Sequence, residues 1–358
     1  MGQEIVLEEF YRKKTRRDGM VRKNLTVILF LAPFLLAFII FFLFPLFYGI
    51  YISMTNFKYG APGTESFNDF KWYAVLFDST RSPKLFQSFW RAFLHTIIFA
   101  IIMVPVAIII PLALAILINQ KPPGYKIFRA LVYMPSIVPL TAAGTIFTLL
   151  FLPAQTNGLL ATFFPNFGPK EWFIDSMFSF TIGGMEFKVA YAWIPIFLMC
   201  FWGGWGSNFI ILSAGLENVP KSLYEASSID GCSKWRKILH VTIPGIKGQL
   251  VLCLFTTIIG YLGLYGQNFV LVSGGPLNPS LSGMPASGQT STLMYFIQDI
   301  VANNTNFKSS LYGLGAAACI VYAIFVGIIS GIQMYCTRDR KTKVKTSKEF
   351  EKWKKVSC

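Results

Sequence analysis

"KSLYEASSIDGCSKWRKILHVTIPG", residues 221–245, places Lys221, Glu225, Asp230, Lys234, Arg236 and Lys237 inside an otherwise apolar part of the chain. Burying six charges in a bilayer would cost roughly 18 kcal/mol, at ~3 kcal/mol each on an insertion scale. The stretch therefore stays in water. Ser222 followed by Glu225 is a capping-box pattern that starts a helix. Gly231 ends it, because glycine accepts the left-handed conformation needed there. Ser233 restarts a second short helix, and Pro244 stops the chain at the membrane. Two short helices hinged at a glycine make a docking surface, which a merely solvated loop has no need to build.

The surroundings define the class. The 358 residues are 54% hydrophobic, 16% aromatic and only 14% charged, with 35 Phe, which marks a polytopic membrane protein. Six windows are long and apolar enough to span: 25–50, 92–119, 128–152, 189–214, 249–272 and 311–336. The expected fold is all-α, six transmembrane helices with one large polar loop at 217–248. The first window is too long for a signal-peptide core and is expected to remain as a helix.

The net charge of +15 raises the question of a polyanion partner. Lys and Arg number 7 in residues 1–24, 3 in 120–129, 5 in 217–248 and 9 in 337–358, against 5, 2 and 1 in the other three connections. Basic and poor segments alternate along six spans, as the positive-inside rule requires. The charge is topogenic, nucleic acid is not an expected partner, and both termini and the 217–248 loop are expected in the cytoplasm. The six Cys lie singly with no metal-ligand spacing, and the only histidines are His95 and His240. No metal or cofactor is expected on this chain.

The organisation is then a basic tail (1–24), a six-helix domain (25–336) and a second basic tail (337–358) whose Phe350 and Trp353 suit an anionic lipid surface. The connections 51–91, 153–188 and 273–310 read as external and turn-rich, with Trp72 and Tyr73 suited to the interface. Pro33, Pro45, Pro105, Pro111, Pro135, Pro139 and Pro195 fall within spans, where each removes a backbone donor; kinks that move and ordinary tolerance are both open. Gly313, Gly315, Gly327 and Gly331 let helices approach closely, either within the chain or against another subunit.

The loop carries a specific resemblance. Glu225-Ala226-Ser227, three residues, Gly231, nine residues and then Val241-Thr242-Ile243-Pro244 is similar to the cytoplasmic signature of binding-protein-dependent ABC importer permeases. "AGLENVPKSLYEASSIDG" (214–231), "FRALVYMPSIVP" (128–139), "QNFVLVSGGP" (267–276) and "LAPFLLAFIIFFLFPLFYGIYISMTNF" (31–57) resemble the sugar-type members, those for maltose, glycerol phosphate and related solutes, and specifically their first-permease type. Ser227, Val241 and Ile243 are mild departures from the signature.

The resemblance implies a type I importer permease in a bacterial plasma membrane, with no catalytic residue of its own. Its partners would be a second homologous permease, two ATPase subunits that hold ATP and Mg, and an extracellular or lipid-anchored solute-binding protein that delivers a carbohydrate. The chain's own lack of a phosphate-binding GxxxxGK[ST] loop agrees. The loop would couple to the ATPase through Leu223, Tyr224, Glu225, Ala226, Ser227, Asp230, Gly231 and Pro244.

For the pathway, Cys200, Gly203, Gly204 and Ser207 share one nearly bare helical face, and Tyr265 and Asn268 share another. A buried Asn is costly unless satisfied, and sugar hydroxyls would satisfy it. By resemblance to the maltose-type permease, the sugar-touching positions are Ser136, Leu140, Cys200, Gly203, Gly204, Ser207, Tyr265 and Asn268. Bulky or amide groups in that relative become Gly, Ser and Cys here, which makes room for a bulkier glycan, an oligosaccharide. Helix packing alone, with Trp202 and Trp205 at the interface, is the competing account of the same face.

Two other classes fit these residues less well. A secondary transporter or channel would want carboxylates within the spans, and none lies there. A membrane enzyme would want paired carboxylates, a Ser/His set or a metal motif. His95 and His240 fall on opposite sides of the membrane.

Overall fold

The computed structural model describes residues 27–337, apart from 59–62, 64, 157, 167–170, 183–184 and 303–310. Both basic tails expected from the sequence lie outside the described residues. The chain is mainly helical. Four helices are long and apolar enough to span: α1 (Val27–Ser53), α3 (Pro83–Asn119), α7 (Trp193–Glu217) and α13 (Tyr312–Thr337). Two more spans are bent pairs. In the first, α4 (Tyr125–Tyr133), extended by a 3-10 turn to Ile137, meets α5 (Leu140–Phe151) at 95°. In the second, α9 (Lys234–Gly245) meets α10 (Lys247–Leu262) at 74°. Six spans, as the hydropathy implies, are reached by counting each bent pair as one.

The 37 residues of α3 give it a length of about 55 Å, well beyond a hydrocarbon core of ~30 Å. It is the spine of the bundle. Its Phe89 packs with Trp72, Leu76, Phe296 and Leu314 in one buried cluster. One level along, Phe99 packs with Phe147, Ile196 and Leu271. At the far end Ala115 joins Phe209, Leu212, Leu216, Ile246 and Cys253. Below, the end bearing the α3–α4 turn and the 217–248 loop is called the basic end, and the opposite one the hairpin end.

Three expectations are corrected. The connection 153–188 holds more than turns: β1 (Ser176–Ile182) pairs antiparallel with β2 (Met185–Ala190), a single hairpin on an otherwise helical fold. Its reason was legible in the alternation of "SMFSFTI", which puts Phe180 opposite Phe187 with ring centroids 5.3 Å apart. The connection 273–310 contains α12 (Leu293–Ala302). The fifth span does not run unbroken to residue 272. It stops at Leu262, passes through Gly263 and Leu264, and resumes as α11 (Gly266–Val272). Gly260, Gly263 and Gly266 lower helix propensity there by ~1 kcal/mol each, so the break is inexpensive.

Among the span prolines, Pro105 and Pro111 sit inside continuous helix, whereas Pro135 and Pro139 mark a true break. Pro45 follows a π-turn at Ile39–Leu43, which absorbs the missing donor without ending α1.

Of the small residues in α13, Gly313 serves internal packing. A β-carbon there would collide with the buried Trp72 ring, whose indole N–H donates to Thr55 O at 3.2 Å. Gly313→Leu should therefore overpack this junction at a cost of about 1–3 kcal/mol. We expect a lower Tm of the detergent-purified protein and a lower level in the membrane. Gly327→Ala, whose added carbon meets nothing within 4 Å, should leave the Tm of the isolated chain unchanged.

Candidate functional site: a protruding loop and a seam between broken helices

The 217–248 loop begins as α8 (Lys221–Ile229) directly after Pro220. Pro220, at φ -57 and ψ 130, sets the helix start two residues earlier than a Ser222 cap would. The capping box therefore does not form, and Glu225 is exposed with no hydrogen bond or ion pair among the described residues. Gly231 ends the helix at φ +72, and Cys232 N–H closes the turn on Ser227 O at 3.0 Å. Ser233 caps α9 by accepting from Arg236 N–H, as expected. Pro244 lies in the last turn of α9, next to the bend at Ile246.

The two faces of α8 differ. Tyr224 turns towards the bundle and shares a hydrogen bond with Thr242 Oγ1 at 3.1 Å. Ser227 is buried, and Lys237 Nζ donates to Ser228 Oγ at 2.6 Å, closing α8 onto α9. Leu223, Glu225, Ala226 and Asp230 point outward. Beside them Ile229 is 88% exposed and Trp235 75% exposed, two large apolar side chains on an otherwise polar knob. Tyr224 and Ser227 are thus struts of the loop, not part of its outer face.

The second feature lies where the α4–α5 span bends and where the fifth span breaks between α10 and α11. Ser136 Oγ donates to Gly203 O at 2.8 Å, tying the 3-10 turn to α7. Leu140, the first residue of α5, lies over Gly266, the first of α11: a β-carbon on Gly266 would sit 2.5 Å from Leu140 Cδ2. Across Gly204 lies the Tyr261 hydroxyl, 3.0 Å from where a β-carbon would be. Gly203 has nothing within 4 Å of that position, and Ser207 is exposed. Ser136, Leu140, Gly203, Gly204 and Ser207 therefore form one small-residue seam, with Tyr265 at the head of α11 beside it.

A family model described as binding-protein-dependent transport system inner membrane component matches residues 85–342. The chain belongs to that family. It is 31% identical to the arabinooligosaccharides transport system permease of Bacillus subtilis (strain 168), over 89% of this chain and 90% of that one. It is 29% identical to the lactose transport system permease of Rhizobium radiobacter, over 71% and 77%. A bacterial ABC transporter chain involved in import of the acidic polysaccharide alginate superposes with a TM-score of 0.65, covering 92% of this chain and all of that one at 18% identity. That likeness establishes the importer-permease fold.

Two of this permease's expected pathway residues stand elsewhere. Cys200 is 3% exposed and packs among Phe99, Ile196 and Met199, so it is core. Asn268 is fully buried, and its amide is already satisfied: Nδ2 donates to Thr290 O, and Oδ1 accepts from Gly274 N–H at 3.1 Å. The premise that it awaits a sugar hydroxyl is corrected. Tyr265 is half-buried, stacked on Phe269 at 5.4 Å. Tyr261 was missed, although it lies one helical turn before Tyr265, and no hydrogen bond is made by its hydroxyl among the described residues.

Several buried polar groups of the permease hold the loop between α11 and α12 to α3. Arg91 Nη2 donates to Ala286 O at 2.7 Å and to Gly288 O at 3.2 Å, Ser88 Oγ donates to Pro285 O, and His95 Nδ1 donates to Ser291 O at 3.0 Å. Asn268→Ala would strand two buried backbone partners, a loss of about 2 kcal/mol or more. Its expected phenotype is a lower Tm and lower assembly, whereas Tyr265→Ala should impair uptake with assembly intact. Normal Tm and assembly in Asn268→Ala would contradict this assignment.

Proposed function

We propose that this chain is the first-type permease subunit of an ATP-driven ABC importer that moves a carbohydrate, an oligosaccharide, across a bacterial plasma membrane. It would sit with both termini and the 217–248 loop in the cytoplasm, as the charge pattern supports. A solute-binding protein would deliver the sugar at the hairpin end. A second, homologous permease would complete the pathway, and two ATPase subunits would bind ATP and Mg and dock on the loop. The relatives' named solutes, arabinooligosaccharides and lactose, support the carbohydrate class. The seam of Ser136, Leu140, Gly203, Gly204 and Ser207, to which we add Tyr261, is the proposed sugar route. Gly203, which faces open space, leaves room for a ring, and Tyr261 offers an aromatic face and a hydroxyl.

The observation that carries the coupling assignment is the knob itself. Leu223, Glu225, Ala226, Asp230 and Gly231 lie on its outward side with Ile229 and Trp235, and exposed apolar side chains of that size on a polar loop mark an interaction surface. Gly231 tests it. A β-carbon there meets open space, so the obstacle to substitution is φ +72 and not a clash within the chain. Gly231→Val forces a β-branched residue into that region at about 1–2 kcal/mol and should cost ATPase retention on co-purification. Gly231→Asn, which tolerates the conformation, should keep it. Retention of the ATPase by Gly231→Val, with full transport-coupled hydrolysis, would refute the docking role.

Pairing is tested separately. Expressed without its second permease, the chain should fail to hold ATPase subunits. A purified homodimer that transports sugar would overturn the heterodimer.

A further inference from the structure

On the basic-end side of the seam, α4 and α7 share an ion pair that the seam and the knob leave unexplained. Arg129 Nη2 lies 2.6 Å from Glu217 Oε1. Glu217 is the last residue of α7, four before Lys221 where α8 begins. Arg129 is on α4, none of whose nine residues is buried. Between the two helices is a cavity of about 470 Å³, with Lys126, Ala130 and Tyr133 on one side and Ile210 and Ala214 on the other.

The polar attachment of α4 to α7 is made at two points. At one, on its 3-10 extension, Ser136 donates to Gly203 O, and Gly206 has no β-carbon, which lets Tyr133 and Ser136 approach closely. At the other, midway along α4, the polar link among the described residues is Arg129–Glu217, with Tyr125 and Val132 only partly covered by the basic-end cluster. The cavity opens beside that pair. A helix held at two points beside a cavity behaves as a strut, and Leu140 at the seam follows directly from its far end.

We propose that Arg129 and Glu217 are positioning residues of the transport cycle: their ion pair makes α4 travel with the knob and so carries loop movement to Leu140. This rests on the coupling reading above. Side chains 43% and 55% exposed would give an ion pair in open water little hold. Here the pair acts on a helix with almost no burial of its own, so a weak link decides where that helix lies. Lys126, the other charged residue on the cavity wall, has no carboxylate but Glu217 opposite it there.

The test is a spin-label distance between exposed Ile127 on α4 and Asn218 at the foot of the knob, with labels carried by unnatural amino acids. It is measured in the full complex, nucleotide-free and ATP-trapped. The wild type should give one narrow distribution that does not shift on trapping. Glu217→Gln and Arg129→Glu should each broaden it and make it shift with nucleotide, while ATPase subunits stay bound. Arg129→Lys, and the swap of Arg129→Glu with Glu217→Arg, should restore the narrow peak. A wild-type distance that shifts on trapping, an unchanged distribution in Glu217→Gln, or a swap as broad as the singles would overturn the tether. The nucleotide-free width, measured on the permease pair alone, decides the tether even if the knob fails to retain ATPase.

Discussion

A backbone that leaves its helix inside a bilayer must find its hydrogen bonds within the protein, because the hydrocarbon offers none. Two spans of this permease break, and their breaks adjoin where Leu140 meets Gly266. Several of the polar groups at the breaks find partners within the protein. Val138 N–H donates to Pro135 O at 3.2 Å, Gly263 N–H to Ile259 O at 3.2 Å, and Leu264 N–H to Tyr261 O at 3.2 Å. Leu264 O in turn accepts from Thr292 Oγ1 at 2.6 Å. Intact spans α3 and α7 supply the walls. Irregular backbone at this depth survives where it is enclosed by protein or lines a cavity, and both conditions meet at the seam.

The Thr292 contact ties the break to the hairpin end. The loop between α11 and α12 is fastened to α3 by Ser88, Arg91 and His95, to α11 by Asn268, and to the hairpin by Ser176–Gln289 at 2.8 Å and Glu186–Ser280 at 3.0 Å. Polar side chains buried at this end therefore satisfy carbonyls of a long connection instead of facing solute. The arrangement turns two separate connections into one polar layer fastened to α3 and α11. Any displacement of that layer is felt at Leu264, and hence at the break.

Much of this was legible in the residues. The six spans, the polar loop, its glycine stop at Gly231 and the Ser233 cap all follow from rules that act over a few positions. The failures are equally specific. Ser222 lost to Pro220 because a fixed φ outranks a side-chain cap. The hairpin was overlooked although "SMFSFTI" alternates, because its Gly and Ser neighbours read as loop. Cys200 and Asn268 looked pathway-facing on helical spacing and on the family resemblance. Spacing says which residues share a face, but not which neighbour that face meets, and a loop twenty residues further on claimed Asn268. Tyr261 shows the converse, a residue whose importance depends on Gly204 in another span.

The knob makes sense as a body that must not deform. A loop that yields under load absorbs displacement and transmits none of it to the spans. Here Tyr224 and Ser227 face inward, Thr242 and Ser228 receive side-chain bonds, and Gly231 bends the chain without a flexible run of residues. Rigidity is thus obtained from polar ties on the inner face, which leaves the outer face free to be apolar. Ile229 and Trp235 can then seat in a partner without being needed for the loop's own shape. The same division explains why Glu225 lacks a described partner: a carboxylate spent on capping its own helix would be unavailable at the surface. Stiffness at the knob would be wasted if the next helix were loosely hung, which is why the weakly buried α4, and not the well-packed α7, is the element whose attachment sets how far loop movement reaches.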